Sequence, residues 1–486
     1  MAWEDVGMHT WQVLGDALAA RAREDGDRLA YDDGSASISF AQLAGRAERR
    51  AGALARMGVG AGDRVALVLP AGVPFAEVFW AVQRLGAVSC AFNPSTGAGL
   101  LERRVAASRP RLVVDAALLA AWPGDNAPAA PDHAGSGEDL AFIQPTSGTS
   151  GEPRGACVRH RNALAFLRAA AQRGQVVHGD VLVAWVPPWH DFGLVRFVIG
   201  AVYHGASCHI VPPAIATIPR WLQTISRVGA TVSGAPDFCF RLAARMVDPS
   251  TVDLRSLRNL TNGGEPVRWS SIEAFETRFG VPGVVLPGYG LAEAALGVAG
   301  TEPGEERTVD ARGNVSHGLP LPGLEVRADG DIDAPGEILV RGDAVFAGYL
   351  DAPRDTAARL RDGWLHTGDS GYLDADGRLF VLGRRQGMIK RGAALIAPRE
   401  LEEAAQGVDA VRVAAALAVA ERIVVVVEAD GDGEGIAAAV SCQVVAVCGF
   451  APDRVIVTGR GTIPRTENGK IRHGRLAALV AESLVG

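Results

Sequence analysis

The sequence predicts a large α/β protein that is built from more than one domain. The chain has 486 residues and is 48% hydrophobic, so it can bury a sizeable core and is longer than most single domains. In its first third, short apolar segments alternate with segments of helical periodicity, which is typical of β-α-β units around a parallel sheet. Near residue 140 an apolar run leads into glycine and hydroxyl residues, as a buried strand opening into a loop does.

The composition argues against several kinds of partner. The formal net charge is -7 with a pI near 5.9, and no basic cluster is interleaved with aromatic residues, so we expect no nucleic-acid partner. The six cysteines lack C-x-x-C spacing and are predicted to be reduced core residues rather than disulfides or zinc ligands. Residues 1–21 include three acidic side chains and no uninterrupted apolar run. We therefore expect a cytoplasmic protein with no membrane insertion.

The first elements follow in order along the chain. Residues 11–60 show amphipathic helical patterns around a short strand-like patch. Three apolar runs, at 65–69, 79–82 and 87–92, are predicted to contribute strands of a parallel sheet. Residues 121–138 are rich in Ala, Pro, Gly and Asp and predict an exposed loop.

The central feature is the segment 144–155, which reads Q-P-T-S-G-T-S-G-E-P-R-G after the apolar run 140–143. In such a loop, backbone N–H groups and Ser or Thr hydroxyls can surround phosphate oxygens. The Walker pattern G-x-x-x-x-G-K-[ST] is absent, and the alternative is a flexible Gly/Ser surface loop. The candidate phosphate-binding residues are Thr146, Ser147, Gly148, Thr149, Ser150, Gly151 and Arg154.

Lysine is used only twice among the 48 Lys and Arg residues, at Lys390 and Lys470. A compact ammonium group and a planar guanidinium do different chemistry, so both lysines become candidates for a functional role. The alternative is that both lie by chance on solvated faces.

The phosphate-binding segment resembles the signature loop of the adenylate-forming superfamily, which includes acyl-CoA synthetases, fatty acyl-AMP ligases, adenylation domains and luciferases. That loop usually has Lys where this chain has Arg154. The resemblance implies ATP and Mg²⁺ as cofactors. It also implies a large N-terminal domain, 1–383, with layered α/β sheets and a small barrel-like subdomain, followed by a small mobile α+β domain, 384–486, with a hinge near 384–386.

The segment 185–195, W-V-P-P-W-H-D-F-G-L-V, is similar to a motif of fatty acyl-AMP ligases in which the histidine flanks the carboxylate and the acyl tunnel. The resemblance therefore implies a catalytic role for His190. The alternative is a packed structural histidine. The acyl pocket is expected to include Trp189, His190, Asp191, Phe192 and Gly193.

Asp237 occupies a position where fatty acyl-AMP ligases usually have Asn. A carboxylate facing an acyl pocket would cost several kcal/mol unless a substrate amine or an arginine such as Arg241 paired with it. Asp237 is therefore a weak indication of a polar or amino-bearing acid, and a capped helix start is the competing explanation.

Two glycine-rich turns resemble the adenine pocket of the superfamily. The segment 261–267, T-N-G-G-E-P-V, would form one wall, and 287–294, P-G-Y-G-L-A-E-A, would supply Tyr289 for stacking and Glu293 for magnesium. Ala292 is the residue that fatty acyl-AMP ligases have where many adenylating enzymes have Thr. The predicted cofactor-binding residues here are Gly263, Gly264, Glu265, Gly288, Tyr289, Gly290, Leu291 and Ala292.

The chain departs from fatty acyl-AMP ligases between Leu296 and Gly318, where those enzymes typically carry a longer insertion. The short connection leaves the use of CoA open. Further on, Asp369 resembles the aspartate that accepts hydrogen bonds from both ribose hydroxyls, and Arg384 would contact ribose or phosphate.

The C-terminal segments match the remaining motifs. Residues 388–392, M-I-K-R-G, resemble the thiol-transfer loop, with Lys390 and Gly392. The segment 463–470, I-P-R-T-E-N-G-K, is similar to P-R-T-x-x-G-K, whose lysine, here Lys470, would touch the substrate carboxylate and the α-phosphate.

Together these motifs predict activation of a carboxylic acid to an acyl-adenylate with release of pyrophosphate. The acyl group would then pass to the phosphopantetheine thiol of an acyl or peptidyl carrier protein. Two alternatives stay open, an acyl-CoA synthetase and a stand-alone adenylation enzyme for an amino acid such as a β-amino acid. A non-catalytic relative would be expected to lack Lys470 or Glu293, and both are present.

Overall fold

The computed structural model describes residues 11–122, 135–146, 154–332, 334–391, 394–419, 422–448, 450–465 and 471–485. The chain divides into two compact units. Unit 1 comprises Met1–Val326, Leu339–His366 and Ala375–Leu379, and unit 2 comprises Arg327–Ile338, Thr367–Asp374 and Phe380–Gly486. The predicted domain boundary and hinge at 384–386 stay a prediction.

The helices, in chain order, are α1 (Leu14–Glu24), α2 (Phe40–Arg56), α3 (Val73–Arg84), α4 (Ala98–Ala107), α5 (Ala116–Ala120), α6 (His160–Gln172), α7 (Gly200–His204), α8 (Ile218–Val228), α9 (Asp237–Met246), α10 (Trp269–Phe279), α11 (Pro353–Arg359), α12 (Pro398–Gln406), α13 (Gly433–Cys448) and α14 (His473–Val485). A π-helical segment, Phe192–Ile199, runs directly into α7.

The strands are β1 (Leu29–Asp32), β2 (Ser37–Ser39), β3 (Arg64–Val68), β4 (Val88–Ala91), β5 (Leu112–Asp115), β6 (Leu140–Thr146), β7 (Arg154–Arg159), β8 (Val181–Ala184), β9 (Ser207–Ile210), β10 (Val232–Ala235), β11 (Asn259–Asn262), β12 (Val285–Gly290), β13 (Gly297–Gly300), β14 (Leu319–Pro320), β15 (Leu324–Ala328), β16 (Gly336–Gly342), β17 (Gly348–Tyr349), β18 (Leu360–Arg361), β19 (Trp364–Leu373), β20 (Leu379–Arg384), β21 (Ile389–Arg391), β22 (Ala394–Ile396), β23 (Val411–Val419), β24 (Arg422–Ala429) and β25 (Arg454–Thr458).

Two large sheets form the framework of unit 1. One has six strands in the order β17-β7-β6-β4-β3-β5, and the other has nine in the order β14-β13-β12-β11-β10-β8-β9-β1-β2. In both, the central pairs are parallel and antiparallel pairs lie towards the edges. The predicted mixed α/β fold with parallel sheets is therefore confirmed.

The largest hydrophobic core lies in unit 1 and joins residues from both large sheets with residues from the helices beside them. Phe75, Phe79 and Trp80 are almost completely buried in it. All three belong to α3, so the prediction of a strand at 79–82 was wrong. A helix that is buried on every side shows a continuous apolar run, which periodicity alone cannot distinguish from a buried strand.

The C-terminal residues form smaller sheets. Strands β23, β24 and β25 make a three-stranded sheet, and β21 pairs with β22. Strand β23 has nine residues and β24 has eight. A further sheet has the order β15-β16-β19-β18, and β20 also pairs with β19.

The cysteines are not cross-linked and most are core residues, but Cys442 is exposed, so the prediction of a core residue was wrong there. All six are free thiols, and four of them are buried. Burial raises the pKa of the Cys90 thiol to about 12, which keeps it protonated and unreactive. None of the helices in the described ranges is both long and apolar enough to span a membrane.

Candidate active site

Most segments singled out in the sequence follow neighbouring parallel strands of the nine-stranded sheet. Residues 185–193 come after β8, Asp237 after β10, Gly263 after β11, and Tyr289 lies near the end of β12. Strands β8, β10, β11 and β12 are adjacent and mutually parallel. Their carboxyl ends therefore meet at one edge of the sheet, where ligands bind in open α/β folds.

The phosphate-binding segment is framed by an antiparallel strand pair. Thr146 ends β6, Arg154 begins β7, and the two residues lie opposite each other. The Thr146 hydroxyl donates a hydrogen bond to the Arg154 carbonyl oxygen over 3.1 Å, which closes the base of the loop. The predicted residues Ser147 to Gly151 lie outside the described residues, so their phosphate contacts stay a prediction.

Arg154 is held by two groups of unit 1. Its Nη2 atom lies 2.8 Å from Oδ1 of Asp355, and its guanidinium carbon lies 5.5 Å from the centre of the Tyr349 ring. The arginine side chain is 21% exposed, so it keeps access to solvent. A guanidinium placed at the exit of a phosphate-binding loop can bind phosphate oxygens through parallel N–H bonds.

Glu293 lies in a tight 3₁₀ turn, Ala292–Ala294, between β12 and β13. The next residue, Ala295, has φ 60°, a conformation that is uncommon for a residue with a side chain. The Glu293 carbonyl oxygen accepts a hydrogen bond from the Phe346 N–H over 2.8 Å. The Oε1 atom accepts one from the Tyr349 hydroxyl over 2.5 Å. Both the backbone and the side chain of Glu293 are therefore fixed.

The chemistry of Glu293 fits that of a magnesium ligand, and magnesium binding stays a prediction. Magnesium in nucleotide enzymes is usually bound by one or two carboxylates together with phosphate oxygens and water. Oε2 of Glu293 has no partner in the described part of the chain, and a carboxylate oxygen is the hard ligand that magnesium prefers. No group of three or more His, Cys, Asp or Glu side chains among the described residues could hold a metal ion by itself. The donor set thus fits an ion held largely by a nucleotide.

The two glycine-rich turns pass very close to each other. A Cβ atom added at Gly263 would lie 2.8 Å from the Gly288 carbonyl oxygen, and one added at Gly290 would lie 1.7 Å from the Leu296 carbonyl oxygen. Gly264 has φ 82°, which favours glycine. The two turns therefore leave no room for side chains at Gly263 and Gly290, and their role as a wall of an adenine pocket stays a prediction. Leu291 and Ala292 are buried.

The other residues of these turns are anchored by their side chains. The ring centres of Tyr289 and His317 are 6.3 Å apart with the rings nearly perpendicular. Oε1 of Glu265 accepts a hydrogen bond from the Phe238 N–H over 2.6 Å. Glu265 thus ties the turn after β11 to the start of α9.

The histidine motif is linked to the strand that leads into the phosphate loop. Gln144, on β6, donates a hydrogen bond from Nε2 to the Trp189 carbonyl oxygen over 2.9 Å. His190 Nδ1 lies 2.5 Å from Oδ1 of Asp191, which also accepts from the Phe192 N–H. Two buried polar atoms, Oε1 of Gln144 and Nε1 of Trp189, have no partner among the described residues.

Phe192 occupies the space beside the end of β10. A Cβ atom added at Gly234 would lie 2.8 Å from Cζ of Phe192. Gly193 lies even closer to its neighbour, since a Cβ atom added there would be 2.0 Å from the Pro187 carbonyl oxygen. The ring of Phe192 is buried and can act as a wall that limits the size of an acyl group.

Asp237 is a buried carboxylate whose hydrogen bonds are made within the protein. It is completely inaccessible to solvent and accepts from Asn262 Nδ2, the Arg268 N–H and the Ser271 hydroxyl over 2.9, 3.0 and 2.7 Å. Arg268 Nη1 lies 3.7 Å from Oδ2. Asp237 is the first residue of α9, but these donors lie outside that helix. The charge thus needs no substrate amine.

In unit 2, Asp369 and Arg384 are neighbours. Arg384 Nε lies 3.1 Å from Oδ1 of Asp369, and the Asp369 N–H donates to the Thr367 hydroxyl over 3.0 Å. The Asp369 side chain is 8% exposed, and that of Arg384 is 54% exposed. A fixed carboxylate of this kind can accept hydrogen bonds from hydroxyl groups, and its role in binding ribose stays a prediction.

Three predicted residues of the C-terminal region can be placed only in part. Lys390 lies in β21, and its side chain is not among the described ones. Gly392 and Lys470 lie outside the described residues. Arg465 and Ile471 form an isolated β-bridge that brackets the segment of Lys470.

The sequence analysis missed two residues that the fold brings into the site. Tyr349 is 56 residues from Glu293 and contacts both Glu293 and Arg154. Gln144 precedes the loop and reaches Trp189, 45 residues away. The only sequence signal for Tyr349 is the glycine that precedes it. In the structure, Gly348 has φ 131°, a conformation that favours glycine.

The fold and the site together define a nucleotide-binding α/β enzyme in which an arginine at the end of a glycine-rich segment and a fixed glutamate contact the same tyrosine. Comparisons with known proteins agree. The model of the family described as AMP-binding enzyme matches residues 18–350. The chain therefore belongs to the AMP-binding enzyme family of the adenylate-forming superfamily, as predicted, and is an AMP-forming ligase.

Several relatives give the range of the family. A ligase of Mycobacterium tuberculosis is 31% identical, covering 90% of this chain and 93% of that protein. A methyl-dioxo-octahydroindenyl-propanoyl:CoA ligase of Rhodococcus jostii is 29% identical over 83% and 85% of the two chains. A medium-chain-fatty-acid–[acyl-carrier-protein] ligase of Moorena producens is 31% identical over 52% and 50%. A solved structure from a study of fatty acyl-adenylate ligases of E. coli and L. pneumophila superposes with a TM-score of 0.86 at 25% identity, covering 98% and 99%.

Proposed function

We propose that this chain uses ATP and magnesium to convert a carboxylic acid to an acyl-adenylate and then transfers the acyl group to the phosphopantetheine thiol of a carrier protein. The observation that supports this most strongly is the grouping of Arg154, Glu293 and Tyr349 at the phosphate-loop frame. A cation, a hard oxygen ligand and a loop for phosphates are what phosphoryl chemistry on a nucleotide requires.

The reaction has two steps. In the first, a carboxylate oxygen of the acid bonds to the α-phosphorus of ATP, the bond from that phosphorus to the bridging oxygen breaks, and pyrophosphate leaves. In the second, the thiol sulfur bonds to the acyl carbon, the bond from that carbon to the AMP oxygen breaks, and the thiol proton passes to solvent. Negative charge gathers on phosphate oxygens in the first step, so donors fixed beforehand lower its barrier.

The residues of the chain take distinct roles in this scheme. Thr146, the loop residues up to Gly151, and Arg154 bind the β- and γ-phosphates. Tyr289 stacks on adenine against the glycine-rich turns. Glu293, with phosphate oxygens, would hold Mg²⁺, which when bound neutralises phosphate charge.

The remaining roles concern ribose, acid and thiol. Asp369 accepts hydrogen bonds from the ribose hydroxyls, and Arg384 lies beside it. His190 and Trp189 orient the carboxylate, while Phe192 limits the acyl group. Lys470 supplies an ammonium group at the α-phosphate, and the loop of Lys390 and Gly392 serves thiol transfer.

The choice of acceptor depends on two observations that point in different directions. The segment 185–195 and Ala292 have the residues that are typical of fatty acyl-AMP ligases, which favours a carrier protein as the acceptor. The connection between β13 and β14 consists of residues 301–318 only, with no long insertion, which favours CoA as the second candidate. An amino acid substrate receives less support, since protein donors satisfy Asp237.

The proposal is tested by ATP–pyrophosphate exchange with fatty, aryl and β-amino acids, followed by offering CoA and a phosphopantetheinylated carrier protein to the best acid. We expect exchange that depends on one acid class and on magnesium, and a thioester formed on the carrier protein. A thioester formed only with CoA would replace the carrier proposal by the second candidate. Absence of exchange with every acid, from enzyme that is folded, would contradict the proposed activity.

A further inference from the structure

Tyr349 is fixed by its backbone beside the strand that leaves the phosphate loop. It lies in β17 opposite Ala156 of β7, and the following Leu350 N–H donates to the Gly155 carbonyl oxygen over 2.8 Å. The Tyr349 N–H donates to the Thr356 hydroxyl over 2.9 Å. The residue is 6% exposed. The position of the ring is therefore set by the same strand that begins with Arg154.

The hydroxyl of Tyr349 acts on Glu293. It donates to Oε1 over 2.5 Å, a short bond of the kind that a carboxylate acceptor makes. Phe346, which packs edge-on against the Tyr349 ring with centres 4.9 Å apart, donates its N–H to the Glu293 carbonyl oxygen. The segment 346–349 thus binds the carbonyl oxygen and the Oε1 atom of Glu293, while Oε2 accepts no hydrogen bond from the described residues.

The face of the same ring acts on Arg154. The guanidinium carbon lies 5.5 Å from the ring centre, within the range of a cation–π contact. Asp355 holds the other side of the guanidinium group at 2.8 Å. Because an arginine side chain loses considerable rotational freedom when it is fixed, a site that fixes it beforehand binds phosphate with a smaller entropic cost.

We infer that Tyr349 is a positioning residue that sets the separation of Glu293 and Arg154, and thereby prepares the protein for a metal–nucleotide complex. The inference rests on the proposed function, in which Glu293 holds magnesium and Arg154 holds phosphate. The Tyr349 hydroxyl contacts the metal ligand Glu293, and the Tyr349 ring contacts the cation of Arg154. Substitutions can therefore separate the two effects.

The test measures metal binding directly. Mn²⁺ replaces Mg²⁺, free Mn²⁺ is counted by electron paramagnetic resonance, and the nucleotide is α,β-methylene-ATP, which cannot be cleaved at the α-phosphorus. Tyr349→Phe keeps the ring and removes the hydroxyl. We expect it to weaken Mn²⁺ binding to the nucleotide complex about tenfold, the effect of losing one hydrogen bond to a charged group. Nucleotide binding without metal should not change.

Two further variants separate the ring from the hydroxyl. Tyr349→Leu should weaken metal-free nucleotide binding as well, because Arg154 loses the ring face. In Glu293→Gln the effect of adding Tyr349→Phe should largely disappear, since the two groups act as one unit. Tyr203→Phe is the matched control, because it removes the hydroxyl from another buried tyrosine of unit 1, whose ring contacts Trp11 and His204.

The outcomes distinguish the inference from the function on which it rests. If the unaltered protein shows no metal-dependent nucleotide binding, the proposed function is wrong. If it does, and Tyr349→Phe binds Mn²⁺ as tightly, only the role of Tyr349 is refuted. Tyr349 would be merely structural if Tyr349→Phe lost no more metal binding than Tyr203→Phe does. The same conclusion would follow if Tyr349→Phe lost metal-free nucleotide binding to the same extent as metal binding.

Discussion

Replacing Asp237 with Asn tests whether this buried carboxylate serves the fold or the substrate. Asn keeps one oxygen for the Asn262 and Arg268 donors, but it presents an amide where the carboxylate accepts from the Ser271 hydroxyl over 2.7 Å. It also removes a negative charge beside the Arg268 guanidinium, which lies 3.7 Å away and is only 11% exposed. Losing a charged hydrogen bond and a buried ion pair should lower the free energy of unfolding by about 3 kcal/mol.

Urea unfolding followed by tryptophan fluorescence measures this change. Trp221 and Trp269 belong to the hydrophobic cluster around α9 and α10, so they report on the region of Asp237. Asp253→Asn is the control, because Asp253 is exposed and pairs with an exposed Arg255, and it should change stability by less than about 0.5 kcal/mol. Pyrophosphate exchange by folded Asp237→Asn should be unchanged. Normal stability with lost exchange would refute the structural assignment and indicate a contact with the substrate.

Three further outcomes are expected. Lys470→Ala should slow pyrophosphate exchange roughly 10²–10³-fold, the effect of losing one fixed donor, and full exchange would refute its role. A valine at position 234 would place its Cβ atom 2.8 Å from Phe192, the residue proposed to limit the acyl group. Gly234→Val should therefore slow exchange most with the largest acid that the enzyme accepts, and equal slowing with all acids would contradict this. Although burial alone would raise the pKa of Asp25, hydrogen bonds from Arg21 and two other side chains lower it from 3.8 to about 2. The stability that this carboxylate adds should be present above pH 4 and be lost as the pH falls through 2, which unfolding of Asp25→Asn beside the unaltered protein would show.

Much of the fold could be predicted because its signals are local. The apolar run at 140–143 and the glycine and hydroxyl residues after it identified β6 and the loop that follows. Phe79 and Trp80 were assigned to a strand because a helix buried on all sides gives no periodic pattern.

The candidate site could be predicted only where its residues are close in sequence. The turn that contains Tyr289 and Glu293 was found as one segment, and so was the pair His190 and Asp191. The hydrogen bonds of Tyr349 with Glu293 and of Gln144 with Trp189 join distant segments, and no local pattern indicates them.

The sequence by itself determined the family of the chain, the alternation of helices and strands, and the chemical types available for phosphate, metal and base. Only the tertiary structure decided which of those groups contact each other. The pairing of β17 with β7 places Tyr349 beside Arg154, and the turn between β12 and β13 brings Glu293 to its hydroxyl. The physical reason is that strand register and turn geometry fix side-chain distances to within a fraction of an ångström, while residue order constrains only neighbours along the chain.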